Sequence, residues 1–127
     1  GPLDLIIGRE LMKLPAESVL LRIFIGENDK ADGRPLYKVL VEEAREQGLA
    51  GATVFRGMLG FGANSRIHTS QILRLSEDLP VVIEIVDSEE KINAFLPRLD
   101  ALIREGLVTM DTTRVIAYRH NHADKSK

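Results

Sequence analysis

The run Val19 to Ile25 (VLLRIFI) is apolar except for Arg22. Its length and its lack of alternation predict a buried central strand. A polar stretch follows, Glu27 to Arg34 (ENDKADGR), and reads as a loop. Pro35 then suits the first turn of a helix. Leu36, Val39, Leu40 and Ala44 recur at helical spacing, with Lys38, Glu42, Glu43, Arg45 and Glu46 on the other face. Gly48 is placed to end that helix. Thr53 to Leu59 (TVFRGML) predicts a second strand, with Gly57 as a bulge. A long polar segment runs from Gly60 to Pro80, in which Ile72 to Leu75 would continue the sheet. Val81 to Val86 (VVIEIV) is the third strand. Asp87 or Ser88 caps a second helix, and Glu89 and Glu90 suit its positive end. Ile92, Phe95, Leu96, Leu99, Leu102 and Ile103 form its apolar stripe. Pro97 within that stripe is expected to kink the helix or shift its start. Gly106 stops it, and Arg114 to Tyr118 (RVIAY) reads as the fourth strand.

The order β-α-β-β-α-β predicts an α+β, ferredoxin-like domain, an antiparallel sheet with two helices on one face. Following the chain up and down the sheet puts three connections on one edge: Glu27 to Arg34, Gly60 to Pro80, and Gly106 to Asp111. A single-site function belongs on that edge. Both faces of the first and third strands are apolar, Glu84 being the polar exception in the third. Helices cover only one face, so the other is expected to be buried by oligomerisation.

Composition narrows the class. The chain of 127 residues fits one domain, with 44% apolar and 28% charged residues. The net charge of −2 argues against nucleic acid and anionic membrane as partners. No cysteine is present, which removes disulfides and thiolate metal sites and fits a cytoplasmic protein. No apolar run is long enough to insert in a membrane, and no secretory signal is legible. Residues 1–2 read as an expression-tag remnant. Residues 3–17 form an N-terminal extension, in which Leu5 to Ile7 would pack as a short extra element. The domain spans 18–119, and 120–127 is a polar tail.

The chemistry sits in the long loop. Loops of this length are functional or disordered, and this one is held between two strands. Gly60, Phe61 and Gly62 form either a hinge that brings backbone N–H groups to an anion or a strand end needing positive φ. Asn64, Ser65, Arg66 and His68 offer an amide, a hydroxyl, a guanidinium and an imidazole; arginine suits bidentate phosphate or carboxylate recognition. The plain alternative is a solvated loop. Residues 63–69 are expected to exchange faster than the flanking strands. Arg34 faces the same edge, while Asp32 is simplest as a helix cap. His120 and His122 read as exposed tail residues rather than metal ligands, and no nucleophile–base pairing is legible. A phosphate-cradling loop of acylphosphatase type would not be acidic, and an RNA-recognition reading fails because Asn64 and Ser65 replace the stacking aromatic strand, in a chain with 5% aromatics and negative charge.

The segments LLRIFIGENDKADGRPLYKVLVEEAREQGLAGATVFRGMLGFG and SRIHTSQILRLSEDLPVVIEIVDSEEKINAFLP resemble the domain of unknown function 190 family of PII-like proteins. More distantly, Gly60-Phe61-Gly62 before a long loop and Leu79 to Val86 after it are similar to the PII signal transducers. The resemblance implies a ferredoxin-like homotrimer with its sheets facing inward. It also implies a non-catalytic signalling role. A small effector, such as an adenine nucleotide, would bind in the clefts between subunits, near Gly60 to His68, with Arg34 and Arg119 as further contacts. The loop would then control a partner protein, a membrane transporter or an enzyme. Unlike PII proteins, the Glu105 to Asp111 connection has one glycine and no lysine, and the loop has no tyrosine to modify. The alternatives are a structural adaptor trimer that binds no small molecule, or an enzyme acting on a phosphorylated metabolite.

Overall fold

The computed structural model describes residues 14–61 and 78–120. In chain order the elements are β1 (Glu17–Gly26), β2 (Lys30–Ala31), β3 (Arg34–Pro35), α1 (Leu36–Glu46), β4 (Thr53–Arg56), β5 (Pro80–Asp87), α2 (Glu89–Leu102) and β6 (Leu107–Arg114). The main sheet has the order β4-β5-β1-β6, and its pairs are all antiparallel. With α1 and α2 on one face, this is the expected ferredoxin-like arrangement.

Period-2 alternation in the central strands sorts the two faces. Val19, Leu21, Ile23 and Ile25 of β1 and Val81, Ile83 and Ile85 of β5 point to the helices and are buried. They meet Leu36, Leu40 and Ala44 of α1 and Ile92, Phe95 and Leu99 of α2 in one core. Each large side chain sealed there contributes about 1.5–3 kcal/mol. On the opposite face Leu20, Phe24, Val82 and Val86 are half-buried, while Phe55 and Leu107 are exposed.

The helix ends show why they stop. Ser88 Oγ accepts from the Lys91 N–H at 3.2 Å, which makes Ser88 the cap of α2. The Asp87 carboxylate is buried, accepting from the N–H groups of Ser88 at 2.7 Å and Ala50 at 2.8 Å. At the end of α1, Gly48 takes a φ of 79°, and the Leu49 and Gly48 N–H groups close back on Ala44 and Arg45. That is a Schellman motif. α2 runs from Glu89 through Pro97 to Leu102, so the proline does not shift its start.

Several expectations are corrected. The fourth strand is Leu107–Arg114, not Arg114 to Tyr118. Gly106 turns so tightly that a Cβ there would lie 2.7 Å from the Phe24 carbonyl oxygen, and pairing with β1 begins at the next residue. Thr109, Asp111, Thr112 and Thr113 make β6 a polar edge strand, which hides it in the sequence. β1 starts at Glu17, so after the Val115 N–H bond to Ala16 the RVIAY run has no strand to extend along. The second strand stops at Arg56 rather than Leu59, and Gly57 is not a bulge. Gly57 leaves the ladder with its N–H on the Pro80 carbonyl at 2.7 Å. The Glu27 to Arg34 segment is not merely a loop. It contains the β2–β3 hairpin, whose Asp32-Gly33 turn has φ of 52° and 78°, the pattern of a type I′ turn. Asp32 is therefore a turn residue and not the cap of α1, whose cap position is Pro35 without a side-chain bond. The Ile72 to Leu75 continuation and the exchange expected at 63–69 lie outside the described residues.

Candidate functional site

Three connections do share one edge, the one at which β1 ends: Gly26 to Pro35, the chain after Arg56 with its return at Asp78, and the turn Ile103 to Gly106. The backbone there is tied together. Glu27 N–H donates to Leu79 O at 2.8 Å, and Asn28 N–H donates to Asp78 Oδ1 at 3.1 Å. Asp29 Oδ2 accepts from Gly26 N–H at 3.0 Å, and Asp29 O accepts from Leu36 N–H at 2.8 Å. The hairpin, the first helix and the start of β5 therefore form one rigid rim.

The long loop leaves this rim through a close-packed turn. A Cβ on Gly57 would lie 2.8 Å from Pro80 Cγ, and one on Gly60 would lie 3.0 Å from the same atom. Gly60 thus packs tightly on Pro80, whose ring a side chain there would displace by a few tenths of an ångström. Beside it Met58, Leu59 and Phe61 are strongly exposed. Phe61 stands in solvent at the point where the loop begins, while Gly62, Asn64, Ser65, Arg66 and His68 lie outside the described residues.

The two other expected contacts are placed differently. Arg34 is on the rim, but its Nη2 donates to Glu42 Oε2 of α1 at 2.7 Å. The hydrogen bond and charge of Glu42 raise the guanidinium pKa, and Arg34 holds the Glu42 carboxyl below its usual range. Arg119 follows the far end of β6, on the edge opposite Gly60. Within one subunit the fold does not bring Arg119 to Gly60 or Phe61.

Residues not singled out in the sequence complete the rim. Arg56 Nε lies 3.1 Å from Glu27 Oε2, an ion pair. The other Glu27 oxygen is buried with no donor among the described residues. The pair joins the end of β4 to the residue after β1, two segments that are not adjacent in the sheet. A charged residue closing each strand is the visible signal, but pairing the two needs the strand order. With Asp29 and Asp78 nearby, the described part of the rim is rich in acceptors. Its turn to β6 carries Arg104 and Glu105 around a single glycine. Next to that turn, Leu96, Leu99, Ile103 and Val108 line an open hollow of about 340 Å³ with Asp100 and Arg104 at its lip. Among the described residues no group of His, Asp or Glu is arranged to hold a metal ion. No described helix is long and apolar enough to cross a membrane.

Comparison with known proteins matches residues 18–115 to the model of the domain of unknown function 190 family, described as "Uncharacterized ACR". A UPF0166 protein of Aquifex aeolicus is 45% identical over 97 residues, covering 76% of this chain and 91% of that protein. Another UPF0166 protein, of Methanocaldococcus jannaschii, is 39% identical over 97 residues, covering 76% and 89%. Among solved structures, a putative PII-like signaling protein of Thermus thermophilus shares 22% identity at a TM-score of 0.50, over 79% of this chain and 88% of that one. The CPII protein of Thiomonas intermedia K12, solved bound to ADP, AMP and acetate, shares 16% identity at a TM-score of 0.51, over 78% and 88%. These likenesses show the same fold.

Proposed function

The chain belongs to the domain of unknown function 190 family, and from that membership we propose that it is a non-catalytic, PII-like regulatory protein of the cytoplasm. It assembles as a homotrimer through the open face of its sheet. It binds an adenine nucleotide in the clefts between subunits, and the loop after Gly60 passes the bound state to a partner protein, a transporter or an enzyme.

The observation that carries this reading is the shared fold with the Thiomonas protein solved with ADP and AMP. Three features of the chain support it. The loop is anchored between Gly57, Gly60 and Pro80 on a rigid rim. The open face keeps Leu20, Phe24, Phe55 and Leu107 for a partner subunit. Arg119 lies on the edge opposite Gly60 in its own subunit, so in the proposed trimer it would serve a neighbour's cleft. The acceptor-rich rim and the lysine-free turn before β6 favour a second reading, an adaptor trimer without a small ligand.

Thermal unfolding with ADP and with AMP separates the two. A ligand of the native state at a hundred times its Kd adds about 2.7 kcal/mol of stability. The regulatory reading predicts a rise in Tm that grows with nucleotide concentration. An unchanged Tm with both nucleotides would leave the adaptor.

A further inference from the structure

The helix-side surface of β6 is only partly covered. Among the described residues β6 is an edge strand, paired with β1 alone, and its residues Val108 and Met110 point to the same side as the buried Ile23 and Leu21. Both are nevertheless 40% exposed, because α1 and α2 pack over β1 and β5. The strip they form runs into the hollow lined by Leu96, Leu99 and Ile103 of the α2 end. Continuous apolar surface of this kind on a rigid frame calls for an occupant.

We propose that the occupant is the chain's own N-terminal segment, residues 3–13, docked along β6 towards the hollow. Where the described chain begins supports this. Ala16 O accepts the Val115 N–H at 2.7 Å, so the chain enters β1 directly beside the end of β6. Leu14 is already buried, at 4% exposure. From there the free edge of β6 runs back to the hollow over eight residues. That is roughly 27 Å at about 3.3 Å per residue. The preceding residues span more than that when extended. Their composition suits such docking, since Leu3, Leu5, Ile6, Ile7, Leu11 and Met12 supply apolar surface, and the long side chain of Arg9 can extend towards Asp100 on the lip. The segment precedes the 18–115 span of the family match, so the docking is a property of this chain's extension. It does not depend on nucleotide binding.

The absence of cysteine makes the test direct. Paired variants of the full chain, Ile7→Cys with Val108→Cys and Ile7→Cys with Thr53→Cys, are treated with a bis-maleimide spanning about 10 Å, roughly the spacing between packed layers. Thr53 lies on the opposite edge strand and serves as control. Equal amounts of normal and 15N-labelled chain are mixed before cross-linking, and cross-linked peptides are read by mass. The proposal predicts Ile7–Val108 links at least tenfold over Ile7–Thr53, all within one isotope label. Mixed-label Ile7–Val108 links would overturn it by making a second copy the occupant. Equal or absent linking at the two positions would also overturn it. Ile7→Asp should lower Tm in the otherwise native chain and have no effect in a Val108→Lys background; equal losses in both backgrounds would contradict docking.

Discussion

Arg22 donates its Nε–H to Glu84 Oε2 at 3.0 Å across the β1–β5 pair, in the middle of the open sheet face. Its Nη1 lies 3.6 Å from Asp111 on β6, so one guanidinium bridges three strands. Apolar Leu20, Phe24, Val82 and Val86 surround it on the central strands. A polar centre inside an apolar ring would fix the register of the proposed contact with another copy.

Arg22→Ala is predicted to act on assembly more than on the subunit. In one subunit Arg22 and Glu84 are 38% and 33% exposed, so solvent screens the pair and its loss costs about 1 kcal/mol or less. In a buried trimer interface, breaking such a pair costs about 3–5 kcal/mol. The variant should sediment as smaller species at concentrations where the wild type holds three times 14.1 kDa, with its circular dichroism unchanged. Equal sedimentation of the two would remove this face from the interface.

Gly106→Ala should destabilise the fold by about 1–3 kcal/mol, because it adds a Cβ in an unfavourable backbone region. The φ there is 152°, and the new carbon would meet Phe24 O at 2.7 Å. Urea unfolding monitored by circular dichroism reads the loss. Gly33→Ala, with open space around the position, meets only the φ penalty and should lose less.

The Arg34–Glu42 pair gives a titration test. Arg34 lowers the Glu42 pKa, first through the hydrogen bond it donates. A depressed folded-state pKa contributes stability above the unfolded value, and that contribution is lost as pH falls through the folded one. NMR titration should place the Glu42 midpoint below the ordinary carboxylate range, and Arg34→Ala should return it there. Because both side chains are exposed, overall stability should move little. An unchanged midpoint in the variant would mean that the pair does not persist in solution.

Much of the fold is legible in the sequence because its signals are local. The alternation that buries Leu21, Ile23, Ile83 and Ile85 is visible as two apolar runs, and the α2 stripe at Ile92, Phe95 and Leu99 is a helical period. β6 escapes such a reading because an edge strand needs few apolar residues, and its Thr and Asp residues resemble a loop. The Asp32-Gly33 hairpin is readable from its turn chemistry, but the surrounding charges outweigh it. The edge that gathers the loop follows from strand directions alone. The Glu27–Arg56 pair does not, since their contact depends on β4 standing two places from β1. Resemblance groups Arg119 with the loop, but within one subunit the direction of β6 carries it away from Gly60, where that loop begins.

Calorimetric titration of ADP into the purified protein tests the central claim most directly. The nucleotide reading predicts saturable binding at equivalent clefts. If Arg66 contacts the phosphates, its charge-assisted bond contributes about 1.5–3 kcal/mol, so Arg66→Ala should bind about tenfold more weakly or worse with its fold intact. Equal affinity in the variant would move the anion contact elsewhere on the rim. No saturable binding by the wild-type protein would contradict the nucleotide-responsive account and leave the adaptor trimer in its place.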